Sequence, residues 1–383
     1  MKAIKNKNIA IVGGGPGGLT LARLLQMNGP TVKVYERDAN KDKRVQGATL
    51  DLHEESGLKA LEVAGLMEAF NANYRPGADR LRVTDKSGTI VLDEHGAEGG
   101  SYNRPEIDRG PLRKILLESL QPDTVVWDSQ FVSLSEHDDT IKLGFKNGTV
   151  AYADIVIAAD GANSKIRPYI TPIKPFYAGI SVIEGAVYNS EANSPQIHQL
   201  LNGGKIFAMG DEKTLIVSSK GDGSLVFYAG LKTAETWLQD SGIDFKNKAE
   251  VFAWFKQEFT GWSNIWDELF VNAEPVFIPR PQYCMPLDQT WDALPNLTML
   301  GDAAHLMPPY AGEGVNMAML DALELAGCLL NDDYANVHDA IAAYEKQMRA
   351  RASETAVVTL EQTKSLHSAD GLKNLVAMFR LEE

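Results

Sequence analysis

The sequence predicts an α/β protein of two units, and three stretches carry that prediction. Near the N-terminus a β-branched run, Asn8–Val12, meets a glycine-rich turn and then a helical pattern. Near the other end a second apolar run, Leu297–Leu300, leads into Gly301–Asn316, GDAAHLMPPYAGEGVN, and a helical pattern ending near Leu330. Between Pro172 and Met285 short alternating segments replace that order. Strands alternating with helices predict a parallel sheet covered by helices, and the middle predicts a mostly antiparallel sheet. The expected division is 1–171 with 286–352 as one discontinuous domain, 172–285 as a second, and 353–383 as a C-terminal helical segment.

Composition narrows the function classes. At 383 residues the chain is long enough for two packed domains. A net charge of −14 excludes nucleic acid or an anionic membrane as the main partner, since no basic face is concentrated anywhere. Cys284 and Cys328 are too few for a disulfide framework or a metal cluster and sit among apolar neighbours. The N-terminal apolar run breaks at three glycines, and no apolar run long enough to span a bilayer occurs elsewhere, so the expected compartment is the cytoplasm and no membrane partner is expected.

The first element is a buried strand, Asn8–Val12. It is followed by Gly13-Gly14-Gly15-Pro16-Gly17-Gly18, which contains G-x-G-x-x-G at Gly13, Gly15 and Gly18, and by a helix from Pro16 to Asn28 stopped at Gly29. A second strand, Thr31–Tyr35, ends at Glu36. Glycine turns between strand and helix are common, but strand, helix and a following acid in register make a dinucleotide fingerprint. The unit is therefore Rossmann-like: the glycines admit a pyrophosphate and Glu36 accepts from ribose hydroxyls. Arg37 and Arg44 are cations beside that phosphate site, and each could equally be a solvated surface residue.

The segment Arg44–His53 leads into a helix expected to run to Asn71, followed by short strands at Leu81–Thr84 and Thr89–Leu92. A helix from Pro111 to Leu120 follows, with Asp108 as its N-cap. Arg109 is a cation at the end of a helix that prefers anions, which an anionic ligand would explain. Strands are expected at Val125–Trp127, Phe131–Leu134, Ile141–Phe145 and Thr149–Ile157, with Asn147-Gly148 as a hairpin turn. The last ends in Asp160-Gly161, where the sheet is expected to return to the cofactor.

In the middle unit the expected strands are Ile180–Val187, Lys205–Met209, Leu215–Ser218 and Ser224–Leu231, with helices near Lys248–Phe259 and Asn264–Phe270 packed on them. Phe207, Met209, Phe227 and Tyr228 could line an apolar substrate face or simply fill the sheet core. Tyr283–Pro286 returns the chain to the first domain. In Gly301–Asn316, Asp302 can accept from a ribose, Pro308 and Pro309 stiffen the turn, and Gly312 and Gly314 allow close approach. The helix beginning near Val315 turns its unpaired amides toward the loop. Three more helices are expected at Val337–Ala352, Glu354–His367 and Leu372–Leu381, the last with an apolar stripe of Leu372, Leu375, Val376 and Phe379.

Taken together, GGGPGG at Gly13–Gly18, ADGANSKIR at Ala159–Arg167 and GDAAHLMPPYAGEGVN at Gly301–Asn316 resemble the FAD-dependent aromatic hydroxylase class, the single-component flavoprotein monooxygenases with a para-hydroxybenzoate-hydroxylase-like fold. Within it, YERD at Tyr35–Asp38, GATLDLHEESG at Gly47–Gly57 and PEIDRGPLRKILLESL at Pro105–Leu120 are similar to the tetracycline-inactivating members. The resemblance runs from Asn8 to about Gln347, strong at both ends and weak in the middle. It implies that Glu36 holds the adenosine ribose, that Asp51, Arg109 and Asp160 border FAD, and that Asp302 binds the ribityl or pyrophosphate region. It further implies that Arg44 helps bind NADPH, with NADH as the alternative reductant. Pro309, Gly312, Gly314, Val315 and Asn316 would frame the isoalloxazine ring, and the C-terminal helix would bridge the two domains.

The resemblance also implies the chemistry: NAD(P)H reduces FAD, O₂ adds at flavin C4a, and the resulting hydroperoxide passes an oxygen atom to a phenol or enol carbon. The flavin would carry the reaction, so no catalytic side chain is expected. His305 and Glu313 are weighed as bases, His305 against a structural histidine bonded to nearby backbone. The substrate positions are Glu184, Lys205, Phe207, Val226 and Tyr310. At three of them the relatives' glutamine, arginine and histidine are replaced by Glu184, Lys205 and Val226, which removes polar recognition. Tetracyclines are the leading substrate candidate, the enzyme is expected to be monomeric, and its partners are O₂ and a small aromatic or polycyclic molecule. Competing readings are a flavin-dependent dehydrogenase or reductase, a halogenase whose Trp-x-Trp-x-Ile-Pro pattern Trp262 and Trp266 do not supply, and a binding protein on a vestigial flavin fold.

Overall fold

The computed structural model describes residues 4–42, 47–95 and 104–381. Five strands form the parallel sheet of the first unit, in the order Leu297–Met299, Ile155–Ala158, Asn8–Val12, Thr31–Tyr35 and Val125–Val126. Their side chains are apolar on both faces because helix Pro16–Gln26 covers one and the antiparallel strands of 131–153 pack on the other, where Phe145 stacks on Tyr35; Ile9, Ile11, Val34, Val156 and Ile157 are all buried. Helix Pro16–Gln26 packs against helix Gly314–Leu330, and the approach is close. A Cβ at Gly17 would lie 2.7 Å from the Ala318 carbonyl oxygen. The two sequence-distant glycine loops thus open side by side.

The expected strand Thr149–Ile157 is two strands. Val150–Ala153 pairs in a three-stranded antiparallel sheet with Thr140–Phe145 and Phe131–His137, while Ile155–Ala158 joins the parallel sheet. Asp154 makes the transition by accepting from the Asn8 amide and from Lys7.

A seven-stranded sheet forms the second unit, in the order Ile278–Cys284, Phe176–Val187, Leu225–Lys232, Lys213–Ser219, Lys205–Gly210, Leu81–Asp85 and Ile90–Asp93. The hairpin Leu81–Asp93 was expected as two short strands of the first segment. It is instead hydrogen-bonded to this sheet, through a parallel pairing of Leu81–Asp85 with Lys205–Gly210. One face of the sheet is closed by helices Lys248–Glu258 and Asp267–Val271 and the 3-10 turn Asn264–Trp266 before the second, and their Phe255, Phe270 and Trp266 bury against Ile183, Leu215 and Phe227. The other face turns toward the first unit.

Two helical expectations change. The segment from Glu54 to Asn71 is a π-turn, Glu54–Leu58, then Lys59–Val63, a break at Gly65 with φ +70°, and Met67–Asn71. Val337–Leu366 is one continuous helix of 30 residues, with no break near Ser353. It lies against Gly314–Leu330, and Gly371–Leu381 then folds back on the second sheet. There Leu375 and Val376 meet Leu81, Val83 and Met209, which buries the C-terminal stripe. Among the described residues no helix is long and apolar enough to cross a membrane.

Candidate functional site

The fingerprint has the expected geometry. A Cβ at Gly13 would collide with the Ala159 carbonyl and one at Gly18 with the Gly13 carbonyl, whereas at Gly15 a Cβ would meet nothing within 4 Å. The open space beside Gly15, at the N-terminus of helix Pro16–Gln26, is where a pyrophosphate fits. Glu36 is buried at the end of its strand and accepts from the Gly14 amide at 2.6 Å and the Asp38 amide at 2.9 Å. A ribose there would use the remaining lone pairs. Arg37 beside it is exposed. Arg44 lies outside the described residues.

Three segments converge on the loop 301–316. Gly301 has φ +60° and ψ −147°, a conformation open to glycine alone, and lets the chain turn from strand Leu297–Met299 into Asp302. Arg167 holds that turn from the other side, donating to the Asp302 and Ala303 carbonyls at 2.7 and 2.6 Å. Reading the sequence missed this role, although an arginine in a segment that returns to the cofactor was its signal. Asp160 accepts from the Lys165 amide at 2.7 Å and so shapes its own turn, while its Oδ1 is buried with no hydrogen-bond partner among the described residues. Burial raises the Asp302 carboxyl pKa, against the pull of His305, Arg109 and Arg167.

His305 is structural. Its Nε2 lies 2.6 Å from Asp321, which also accepts from the Gly301 amide at 2.8 Å and from Arg351 at 2.6 Å. Burial opposes the imidazolium, but the Asp321 charge prevails and raises the His305 pKa, while His305 and Arg351 lower that of Asp321. The partner is therefore a carboxylate rather than nearby backbone. Asp321 went unnoticed, though a lone aspartate on an otherwise apolar helical face signals a buried pair.

Asn316 is also spent internally: its amide nitrogen donates to the Asp51 carbonyl at 2.9 Å and its oxygen accepts from the His53 amide at 3.0 Å. The first amide bond within the helix is Met317 to Glu313, so the amides of Gly314, Val315 and Asn316 precede it. Gly312, at φ +72°, faces the Asp51 carboxylate, Pro309 is exposed, and a Cβ at Gly314 would meet nothing within 4 Å. His53 stands between Asp51 at 3.3 Å and Glu313 at 3.5 Å. Burial raises the Glu313 pKa. Asp108 makes no helix cap; it accepts from the Gly221 amide at 3.0 Å, tying the two units together. Arg109 donates to the Ala48 carbonyl at 3.0 Å and otherwise opens into the cleft, where desolvation lowers its pKa against the pull of Tyr228 and Glu184.

Opposite this loop stands the free face of the second sheet. Strand register places Glu184, Tyr228, Ile216 and Phe207 in one row across four strands, with Val226, Ser218 and Lys205 in a neighbouring row on the same face. Phe207, Lys205, Glu184 and Val226 therefore do share one face. Phe227 does not: alternation turns it to the opposite side, into the aromatic core. Val226 is covered, Glu184 is paired with Arg280, and Lys205 with Glu106. The Tyr228 hydroxyl accepts from the Ala48 amide at 2.8 Å, and burial pushes its pKa up to about 12. Tyr310 reaches the same face at Gly230, where a Cβ would lie 2.9 Å from its hydroxyl and 3.1 Å from His367 Nε2. The cleft between loop and sheet fits a flat cofactor: its glycines leave space, helix amides point in, and carboxylate oxygens remain unpaired.

The comparisons agree with this geometry. A family model described as FAD binding domain matches residues 6–219 and 295–359, leaving unmatched the middle stretch between them. Monooxygenase penA of Penicillium thymicola is 26% identical over 96% of this chain and 97% of its own length. The 6-hydroxynicotinate 3-monooxygenase of Pseudomonas fluorescens is 27% identical over 94% and 92%. Klebsiella pneumoniae HpxO, solved with FAD and uric acid, superposes with a TM-score of 0.76 at 21% identity, covering 99% of this chain and 94% of its own. Tetracycline destructase Tet(55) superposes with a TM-score of 0.75 at 22% identity, covering 94% and 89%; at these identities the two structures bear on the fold. The chain belongs to the FAD-binding family that this model defines and is an FAD-dependent monooxygenase of the aromatic-hydroxylase type.

Proposed function

We propose that the enzyme uses NADPH, or NADH, and O₂ to hydroxylate an aromatic or polycyclic small molecule bearing a phenol or enol, and that it acts as a monomer. FAD, when bound and reduced, supplies the activation of O₂. The chain's own residues bind and position. Glu36 and the amides around Gly15 hold the adenosine and pyrophosphate end, Asp302 takes the sugar chain, and the amides of Gly314 to Asn316 stabilise negative charge on the ring edge. Asp51 and Arg109 close the cleft from the side. Tyr310 faces the sheet at Gly230, so a substrate lies between the ring and the row Tyr228, Ile216 and Phe207, with water excluded by the apolar side chains.

The observation that carries this reading is the meeting of that loop with a sheet face left partly open at its centre. Tetracycline-type antibiotics are the leading substrate candidate, supported by the motif resemblance and the shared fold. The test is a mass-spectrometric screen of tetracyclines, anthraquinones and simple phenols with NADPH and O₂. The expected result is one product gaining a single oxygen atom, with NADPH oxidation stimulated by that substrate. NADPH oxidation that proceeds equally with another acceptor, with no oxygenated product, would refute it in favour of a dehydrogenase.

A further inference from the structure

The open part of the second sheet is small and has two defined ends. Tyr228, Ile216 and Phe207, side by side on adjacent strands, are each partly exposed, whereas Ser218 and Thr214, which flank Ile216 on the same face, are buried. At the Phe207 end the floor stops under the C-terminal helix Gly371–Leu381, whose Leu375 and Val376 pack with Val83, the partner of Phe207 on the next strand. At the other end stands Tyr228. Side chains rise roughly perpendicular to a sheet, and this one reaches the first unit, where its hydroxyl accepts from the Ala48 amide at 2.8 Å. The Ala48 carbonyl in turn accepts from Arg109 at 3.0 Å, so the peptide that receives Tyr228 is itself tied down. Beyond Tyr228, on the following strand, Glu184 is buried and paired with Arg280.

Tyr228 is therefore a post that crosses the cleft as well as a part of its floor. Pushing it aside would take from the Ala48 amide a bond that an aromatic ring cannot replace. Between the post and the C-terminal helix two strands of floor remain, those of Ile216 and Phe207, which span about 10 Å, about the length of two fused aromatic rings. Resting on the proposed placement of substrate against this face, we infer that Tyr228, anchored at Ala48, ends the substrate floor and limits the buried part of a ring system to two fused rings. Further rings project away from Ile216 and Phe207 and add no contact there. A four-ring substrate is then gripped by two of its rings, and the size of the gripped portion is set by a steric barrier held in place by one hydrogen bond.

The experiment titrates phenol, 2-naphthol and 2-hydroxyanthracene, all uncharged at neutral pH, into the full-length protein loaded with FAD and kept without reductant. Binding is followed by probe fluorescence and by perturbation of the flavin absorbance. Each ring buried against the floor should tighten binding by about fivefold to tenfold, so we expect that gain for the second ring and less than about twofold for the third. Tyr228→Ala lengthens the floor by one strand and should give the third ring a gain of about fivefold. Tyr228→Leu, apolar but too short to reach Ala48, should shift the limit in the same direction, and it decides the question if the alanine variant does not fold. Ile216→Ala deepens the floor without moving either end and should leave the limit at two rings. A third ring that tightens binding as much as the second in the unaltered protein, a limit that persists in the Tyr228 variants, or a limit that Ile216→Ala removes equally would overturn the inference. So would failure of all the probes to bind the FAD-loaded protein. Failure of the protein to retain FAD would instead refute the functional reading, and the inference would fall with it.

Discussion

Acidification should loosen the corner where the flavin loop, the second sheet and the C-terminal helices meet, and His367 is the group that senses it. Its Nδ1 lies 2.9 Å from the Thr363 carbonyl, which can only accept, so the proton sits on Nδ1. Nε2 is then the acceptor toward the Tyr310 hydroxyl at 3.3 Å and the Thr214 hydroxyl at 3.4 Å. The ring is fully buried, and burial pushes its pKa down from 6.5 to about 4. In the unfolded chain the imidazole takes up its proton first, near 6.5, while the folded one resists until about 4. Stability from this group is therefore complete above 6.5 and is lost as pH falls toward 4. The linkage amounts to about 2 kcal/mol between pH 7 and 5, and about 3 kcal/mol by pH 4. The assay is urea unfolding of the protein and of His367→Gln at both ends of that interval, with urea keeping a chain of pI about 5.0 in solution. Other groups titrate in the same range, so the quantity read is the stability difference between the two proteins. It should favour the unaltered protein at pH 7 and shrink by about 2 kcal/mol at pH 5. A difference that stays constant within about half a kcal/mol would refute the reasoning.

Two further substitutions probe the frame around the cleft. Asp321→Asn leaves the His305 imidazole and the Arg351 guanidinium facing a neutral amide and should destabilise by about 3–5 kcal/mol in urea unfolding; a loss below about 1 kcal/mol would mean the network carries little. Phe227→Ala should cost about 3–5 kcal/mol because the side chain fills the aromatic core, whereas Phe207→Ala should cost clearly less stability and weaken substrate binding. The reverse order would show that the two faces of Leu225–Lys232 have been exchanged.

What the sequence disclosed was what local chemistry determines. Strand, glycine turn, helix and Glu36 lie within one short unit, and the loop from Gly301 to Asn316 carries its own conformational instructions in glycine and proline. Partners far apart in the chain were less legible. Leu81–Asp93 has the pattern of a hairpin, but nothing local says that its neighbour is Lys205–Gly210, more than a hundred residues on. The run LVFYAGLK at Leu225–Lys232 is apolar on both faces, so alternation could not say whether Phe227 or Tyr228 meets the cleft until the helices on one side were known. His305 illustrates the same limit, since its partner Asp321 is one helix away. The pairs Glu184–Arg280 and Lys205–Glu106 also depend on tertiary contact: the sequence identified Glu184 and Lys205 on this face but not the opposite charge that each meets.

The central claim is that the loop around Asp302 and the glycines near Gly15 together hold FAD, and the most direct measurement is the visible absorbance of purified protein with its flavin content. The account predicts yellow protein with about one FAD per chain, and loss of that flavin in Asp302→Ala with the fold retained. Colourless protein that FAD cannot reconstitute, or Asp302→Ala with full flavin occupancy, would contradict it.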